Sequence, residues 1–268
     1  DYSEMLAVLA LQDLKETIAT LKAENKYPDT KLKLNLEGRN PDDGVTDIAY
    51  NKGYFFLRLI EETYGREKVD VFLKEYFSRN AFRSMDTESF IRYIRDYYRT
   101  QFSIDLPDST FNEWVFTEGL PETCPQPVSV KFDSVDSFLA KWISGGVYEE
   151  SVSKQWTTHE WLHFIKNLPD PLSQNQMKVL DSFGNFTASG NAEIAAAWLV
   201  RTIRYHYVAA DARLEEFLVH TGRRKFLIPL YTELLKTEDG KKRAREIYNK
   251  ARLNYHFVAA QTIDGLLK

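Results

Sequence analysis

The sequence predicts an all-α chain in two parts, 1–127 and 128–268, the second an irregular two-layer helical superhelix. Three observations lead there. Apolar residues recur at the three-and-four spacing of one helix face through most of the chain. The periodic segments beyond residue 128 are mostly separated by two to five residues, which sets neighbouring helices side by side as antiparallel hairpins. Residues 119–127 hold Pro121, Pro125 and Pro127, a cluster that helices do not tolerate and that marks the boundary between the two parts.

The first helix is read from Met5, Leu9, Leu14, Ile18 and Leu21 with acids between them, and Pro28 breaks it. Residues 31–36 alternate Lys and Leu, the period of a short extended piece, and 38–44 (GRNPDDG) form a turn-rich loop. Asp47 is expected to cap a helix running through Phe55, Phe56, Leu59 and Ile60 as far as Gly65. Further helices are expected over 69–77 and 87–102. A short one, capped by Asp108 or Ser109, runs through Trp114 and Val115. Beyond the prolines, amphipathic helices are predicted over about 133–144, 157–168, 172–184, 191–206, 209–220, 222–236, 239–252 and 254–266. No clean fixed-period repeat accompanies them, so the superhelix is expected to be irregular, of the ARM/HEAT kind.

At 268 residues, 43% hydrophobic and 28% charged, the chain has the composition of a globular protein with one large or two ordinary cores. A net charge of -4 argues against the global basic field of a nucleic-acid binder. No apolar run approaches the roughly 20 residues of a membrane span, and no signal-peptide pattern opens the chain. The single cysteine, Cys124, leaves no internal disulfide and no cysteine-based zinc site. The chain opens at Asp1 and enters helical periodicity at once, the pattern expected of a processed product or excised piece; the compartment stays open between cytoplasmic and periplasmic or secreted.

His159-Glu160-Trp161-Leu162-His163 matches HExxH, in which two histidines one helical turn apart bind zinc and the glutamate serves as general base. The surroundings argue against a metal site. Thr157 and Glu160 stand in capping-box spacing, which puts His159 at the positive end of the helix dipole. Trp161, Phe164, Ile165 and Leu168 form the inward stripe, so His159 and His163 are expected on the solvent side with Lys166. The helix ends before Pro169 and Pro171, and the position where a third ligand glutamate would fall is Ser182.

Several stretches resemble, in order, the C-terminal half of gluzincin zinc aminopeptidases of the aminopeptidase-N-like family, in particular the leukotriene hydrolase branch. Asn40-Pro41-Asp42 followed by Ile48-Ala49-Tyr50-Asn51-Lys52-Gly53-Tyr54-Phe55 resembles the segment carrying that family's catalytic tyrosine in a Tyr-x-Lys-Gly context. Trp114 with Gly119-Leu120-Pro121 matches the end of the catalytic domain, and Asn191-Ala192-Glu193-Ile194 with Trp198 fits a helix of the C-terminal domain. Thr221-Gly222-Arg223-Arg224-Lys225-Phe226 with Pro229-Leu230-Tyr231 resembles a further segment of that domain.

The resemblance implies that residues 1–127 are the helical remainder of a thermolysin-like catalytic domain. It implies that zinc is held by residues upstream of this chain, with none bound within it. It makes Tyr50 the catalytic phenol, donating a hydrogen bond to the former carbonyl oxygen as negative charge builds there in peptide hydrolysis. It makes Arg223 and Lys225 the pair that binds the free C-terminal carboxylate of a peptide. A physical argument agrees: Thr221 is expected to cap a helix whose first turn then gathers three cations, which with free N–H groups make an anion site. Asp42 aligns with an acidic residue linked in the family to epoxide opening and to recognition of an N-terminal arginine. The second tyrosine of that loop is Val45 here, a departure that favours peptidase over leukotriene chemistry. Of the other histidines, His206 and His256 are expected to be structural, and His220 stands near the Arg223 cluster.

The function expected is therefore that of the C-terminal part of a metalloaminopeptidase acting on short peptides. This chain would be inactive alone, its partners being the N-terminal part of the same enzyme and the peptide. The alternative is a non-catalytic helical module that binds a protein partner.

Overall fold

The structure, a computed structural model, describes residues 1–39, 46–145 and 150–268. Among these residues the regular elements are helical and there is no strand. The chain divides into two compact units, Asp1–Ser129 and Val130–Lys268.

In the first unit, α1 (Tyr2–Ala23) packs along α2 (Asp47–Tyr64), and α2 packs on α3 (Arg66–Arg79). They are followed by α4 (Thr87–Phe102) and the short α5 (Asp108–Phe111), which runs on into a π-helical turn over Asn112–Phe116. Leu14, Phe55, Ile94, Tyr98 and Trp114 are fully buried in the core of this unit. Phe72 meets the rings of Tyr97 and Tyr98 edge-on, with centroids 5.4 and 5.8 Å away.

Three local expectations move. Neither Asp108 nor Ser109 caps the short helix: Pro107 holds the N-cap position and Asp108 is its first residue. The cap of α2 is Thr46, whose hydroxyl accepts from the Ile48 N–H at 3.3 Å; Asp47 becomes a first-turn acid, where its charge suits the dipole. Residues 31–36 make no strand, because an alternating segment among helices has no neighbouring strand to pair with. The Lys33 N–H donates instead to the Val115 carbonyl at 3.0 Å. The stop at Gly65 holds: its φ of +97° turns the chain directly from α2 into α3 in a conformation that side chains rarely adopt.

The second unit comprises α6 (Val130–Ile143), α7 (Glu150–Ser153), α8 (Thr158–Lys166), α9 (Gln174–Gly184), α10 (Ala192–Arg204), α11 (Asp211–His220), α12 (Arg224–Leu234), α13 (Glu238–Ala251) and α14 (Phe257–Leu266). Alternate helices pack together. α6, α8, α10, α12 and α14 form one row, each against the next, while α11 packs on α13 beside it. This is the two-layer arrangement expected of consecutive short hairpins. Polar residues at the helix starts fix the boundaries: Ser173 with Gln176 closes a capping box, Asn191 accepts from the Glu193 and Ile194 N–H groups, and Thr237 accepts from Gly240. Trp198, Leu199, Leu227, Leu230, Tyr231 and Ile263 are fully buried between the rows.

Candidate functional site

Tyr50 lies in the first turn of α2 with 70% of its surface exposed, whereas Lys52, two residues later, is fully buried. At about 100° per residue these positions face nearly opposite ways. Lys52 occupies a core position of the helix, in line with Ile48, Phe55, Phe56 and Ile60. Its ammonium donates to the carbonyls of Thr30 and Thr117, both at 2.9 Å. Thr30 is also fully buried; its hydroxyl donates to the Tyr27 carbonyl at 2.6 Å and accepts from the Gly119 N–H at 2.7 Å. Gly119 has a φ of +77°, where other residues are strained, and a Cβ there would collide with the Tyr27 hydroxyl unless that ring shifted, so glycine suits the position. One buried cation thus joins the segments around residues 30 and 117 to the start of α2. Burial, reinforced by the nearby Lys31 charge, pulls the Lys52 ammonium down to about 8.

Ala49, next to Tyr50, lines an open groove of about 270 Å³ together with Lys31, Lys33, Leu34, Thr46 and Thr87. Its two lysines are paired, Lys31 with Glu118 at 3.3 Å and Lys33 with Glu88 at 3.0 Å. Asp42 and Val45 lie outside the described residues.

In the second unit, Arg223, Arg224 and Lys225 are exposed at the start of α12. The expected cap is displaced: Thr221 closes α11, its N–H donating to the Phe217 carbonyl at 2.9 Å, and Arg223 takes the N-cap position of α12. The chain needs Gly222 and Arg223 to turn between the helices, so only Arg224 and Lys225 fall in the first turn. Arg223 and Lys225 each lie over the ring of Phe226, at 5.9 and 5.6 Å from its centroid. Lys225 also pairs with Glu193 of α10, Nζ to Oε1 2.7 Å. His220 is exposed, with Nδ1 2.9 Å from the Glu216 carbonyl oxygen. His206 is exposed at a φ of +52°, and His256 caps α14 by accepting from the Val258 N–H.

The HExxH match resolves into structural contacts. Glu160 is buried and closes the capping box with Thr157, accepting from its N–H and its hydroxyl at 2.8 Å each. His159 is half-buried. The expectation that His163 faces solvent is overturned: it is 4% exposed, stacked on Phe132 of α6, with Nε2 2.8 Å from Asp136 Oδ1. The reason is that α8 is covered on a second side by α6, which a helix wheel of α8 alone does not reveal. Among the described residues no group of three or more His, Cys, Asp or Glu is arranged to hold a metal ion. Glu160 and His163 of this motif are committed to protein partners.

Residues 156–267 match the family model described as leukotriene A4 hydrolase, C-terminal. Leucine aminopeptidase 2 of Neosartorya fischeri is 26% identical over 98% of this chain and 43% of its own length. Leucine aminopeptidase 2-1 of Scheffersomyces stipitis is 29% identical over 96% of this chain and 43% of its own length. The solved structure of yeast LTA4 hydrolase in complex with bestatin superposes with a TM-score of 0.81 at 21% identity, covering 99% of this chain and 46% of that one. At that identity the likeness establishes the fold. The chain spans less than half the length of the relatives it matches. Together the matches make the chain similar to the C-terminal portion of M1 aminopeptidases, the aminopeptidase-N-like family, and in particular to its leukotriene hydrolase branch.

Proposed function

We propose that the whole protein is a zinc metalloaminopeptidase that removes N-terminal residues from short peptides. This chain supplies a transition-state-stabilising phenol, Tyr50, a carboxylate-binding pair, Arg223 and Lys225, and Asp42 as a further substrate-binding residue. Zinc is held by polypeptide outside this chain, where it supplies the Lewis acid of the hydrolysis. The chain's own part is to donate a hydrogen bond from the Tyr50 hydroxyl to the oxygen on which charge develops, and to anchor the far end of the peptide by its carboxylate.

The observation that carries this reading is the contrast within one helical turn: the phenol at 50 is open to solvent on a helix start held by a buried cation. A catalytic donor needs both access and a fixed direction. Leucine aminopeptidase relatives aligned along nearly the whole chain agree with it.

The test is Tyr50→Phe in the whole protein. Loss of one such donor is expected to lower kcat by about 10²–10³-fold with the fold intact. Unchanged turnover would leave Tyr50 without a catalytic part and favour a helical interaction module. The chain alone is expected neither to retain stoichiometric zinc nor to hydrolyse aminoacyl anilides.

A further inference from the structure

We propose that Lys52 is a positioning residue for Tyr50: its ammonium, held between the Thr30 and Thr117 carbonyls, sets the rotation of the first turns of α2 and hence the direction of the phenol. This inference rests on the catalytic reading of Tyr50.

The argument begins with what apolar packing leaves undetermined. Ile48 is the only buried apolar residue in the first turn of α2; Phe55, Phe56 and Ile60 grip the helix further on. Apolar contact is non-directional and tolerates small rotations of a helix end. Two hydrogen bonds of 2.9 Å to carbonyls from two separate segments do not. The acceptors are held in turn. Thr30 is tied to Tyr27 and Gly119 through its hydroxyl, and the Thr117 hydroxyl donates to the Asn112 carbonyl at 2.9 Å. A buried charge is costly to desolvate, and an apolar side chain of similar volume often serves stability as well or better. What the lysine adds is direction. Because residues 50 and 52 lie on nearly opposite sides of the helix, fixing one inward aims the other outward.

Lys52→Met keeps the length and the apolar stem and removes the donors. In the whole enzyme it is expected to lower kcat by about tenfold to a hundredfold, the scale of a displacement near 1 Å, with KM unchanged within about twofold. The double variant Tyr50→Phe/Lys52→Met is expected to be no slower than Tyr50→Phe alone, because Lys52 acts through the phenol. A folded Lys52→Met enzyme with wild-type kcat overturns the proposal, as does a double variant slower than Tyr50→Phe by the full single-variant factor. If Tyr50→Phe keeps wild-type turnover, the catalytic reading falls and this proposal with it. If Tyr50→Phe is impaired and Lys52→Met is not, only the positioning role falls. Should Lys52→Met fail to fold, Thr30→Val loosens the acceptor by removing the hydroxyl that takes the Gly119 N–H. The same kcat-specific loss, smaller in size, is then expected, and an unchanged kcat in that variant overturns the proposal.

Discussion

The imidazole of His163 lies flat on the ring of Phe132, centroids 4.1 Å apart and planes 5° from parallel, with Nε2 2.8 Å from Asp136 Oδ1. Both partners come from α6, so the second histidine of the HExxH match is a packing element between α6 and α8. Its other ring nitrogen, Nδ1, is 3.2 Å from the Asn167 amide. Both ring nitrogens thus already have protein partners, and a metal would have to displace one of them.

Removing that ring should cost stability and nothing else. His163→Ala opens a void on the face of Phe132 and deletes the contact to Asp136, a loss expected near 2 kcal/mol. Four of the five tryptophans, Trp142, Trp156, Trp161 and Trp198, belong to the same unit, so a urea transition followed by fluorescence reports on it directly. Metal content should be the same before and after the substitution. A stoichiometric metal present in the wild-type chain and lost on substitution would restore the zinc reading of this motif.

Lys52 should leave a mark on the pH dependence of stability. Its ammonium titrates near 8 in the fold against about 10.5 when unfolded, chiefly through burial. Between those values the unfolded chain binds more protons than the folded one. Stability from this group therefore rises as pH increases from about 8 to about 10.5, since deprotonation relieves the buried charge. Tyrosines such as Tyr98, pushed up to about 12 by burial, act oppositely near pH 10 and above. The difference between wild type and Lys52→Met isolates the lysine. Hydrogen exchange of the α2 amides between pH 7 and 9.5, corrected for intrinsic rates, should show the wild type gaining protection relative to the variant. Parallel profiles would mean that the lysine is not desolvated in solution.

Most of the helical frame is legible in the sequence because its signals are local. The proline cluster, the Ser, Thr and Asn caps and the apolar stripes act within a few residues, so helices such as Thr87–Phe102 emerge directly from the pattern. What is lost is what another element decides. His163 looks solvent-facing on its own wheel and is covered by Phe132 and Asp136, 31 and 27 residues away. The displaced cap at α12 has a similar cause: the last turn of α11 claims Thr221 before the next helix can use it. Lys52 carries a partial signal in the sequence. A lysine stands in line with Ile48, Phe55 and Phe56 on an apolar face, where its charge requires internal acceptors. The acceptors are backbone carbonyls 22 and 65 residues away, and carbonyls carry no residue-type signature.

The basic pair makes a separable expectation, because Lys225 already has a partner in Glu193 at 2.7 Å. A peptide carboxylate approaching Arg223 and Lys225 competes with that side chain. In the whole enzyme, Arg223→Met and Lys225→Met are each expected to raise KM for peptides with a free C-terminus by about tenfold. That is the low end for a charge-assisted hydrogen bond, as both side chains are exposed to solvent screening. Substrates ending in an amide carry no such charge and should be unaffected, while kcat stays constant for both, since a contact made equally in the ground and transition states changes KM alone. Glu193→Gln removes the competitor and should lower KM for the free acids alone. Equal effects on acids and amides would show that the cluster acts on the fold of the second unit and not on a substrate carboxylate.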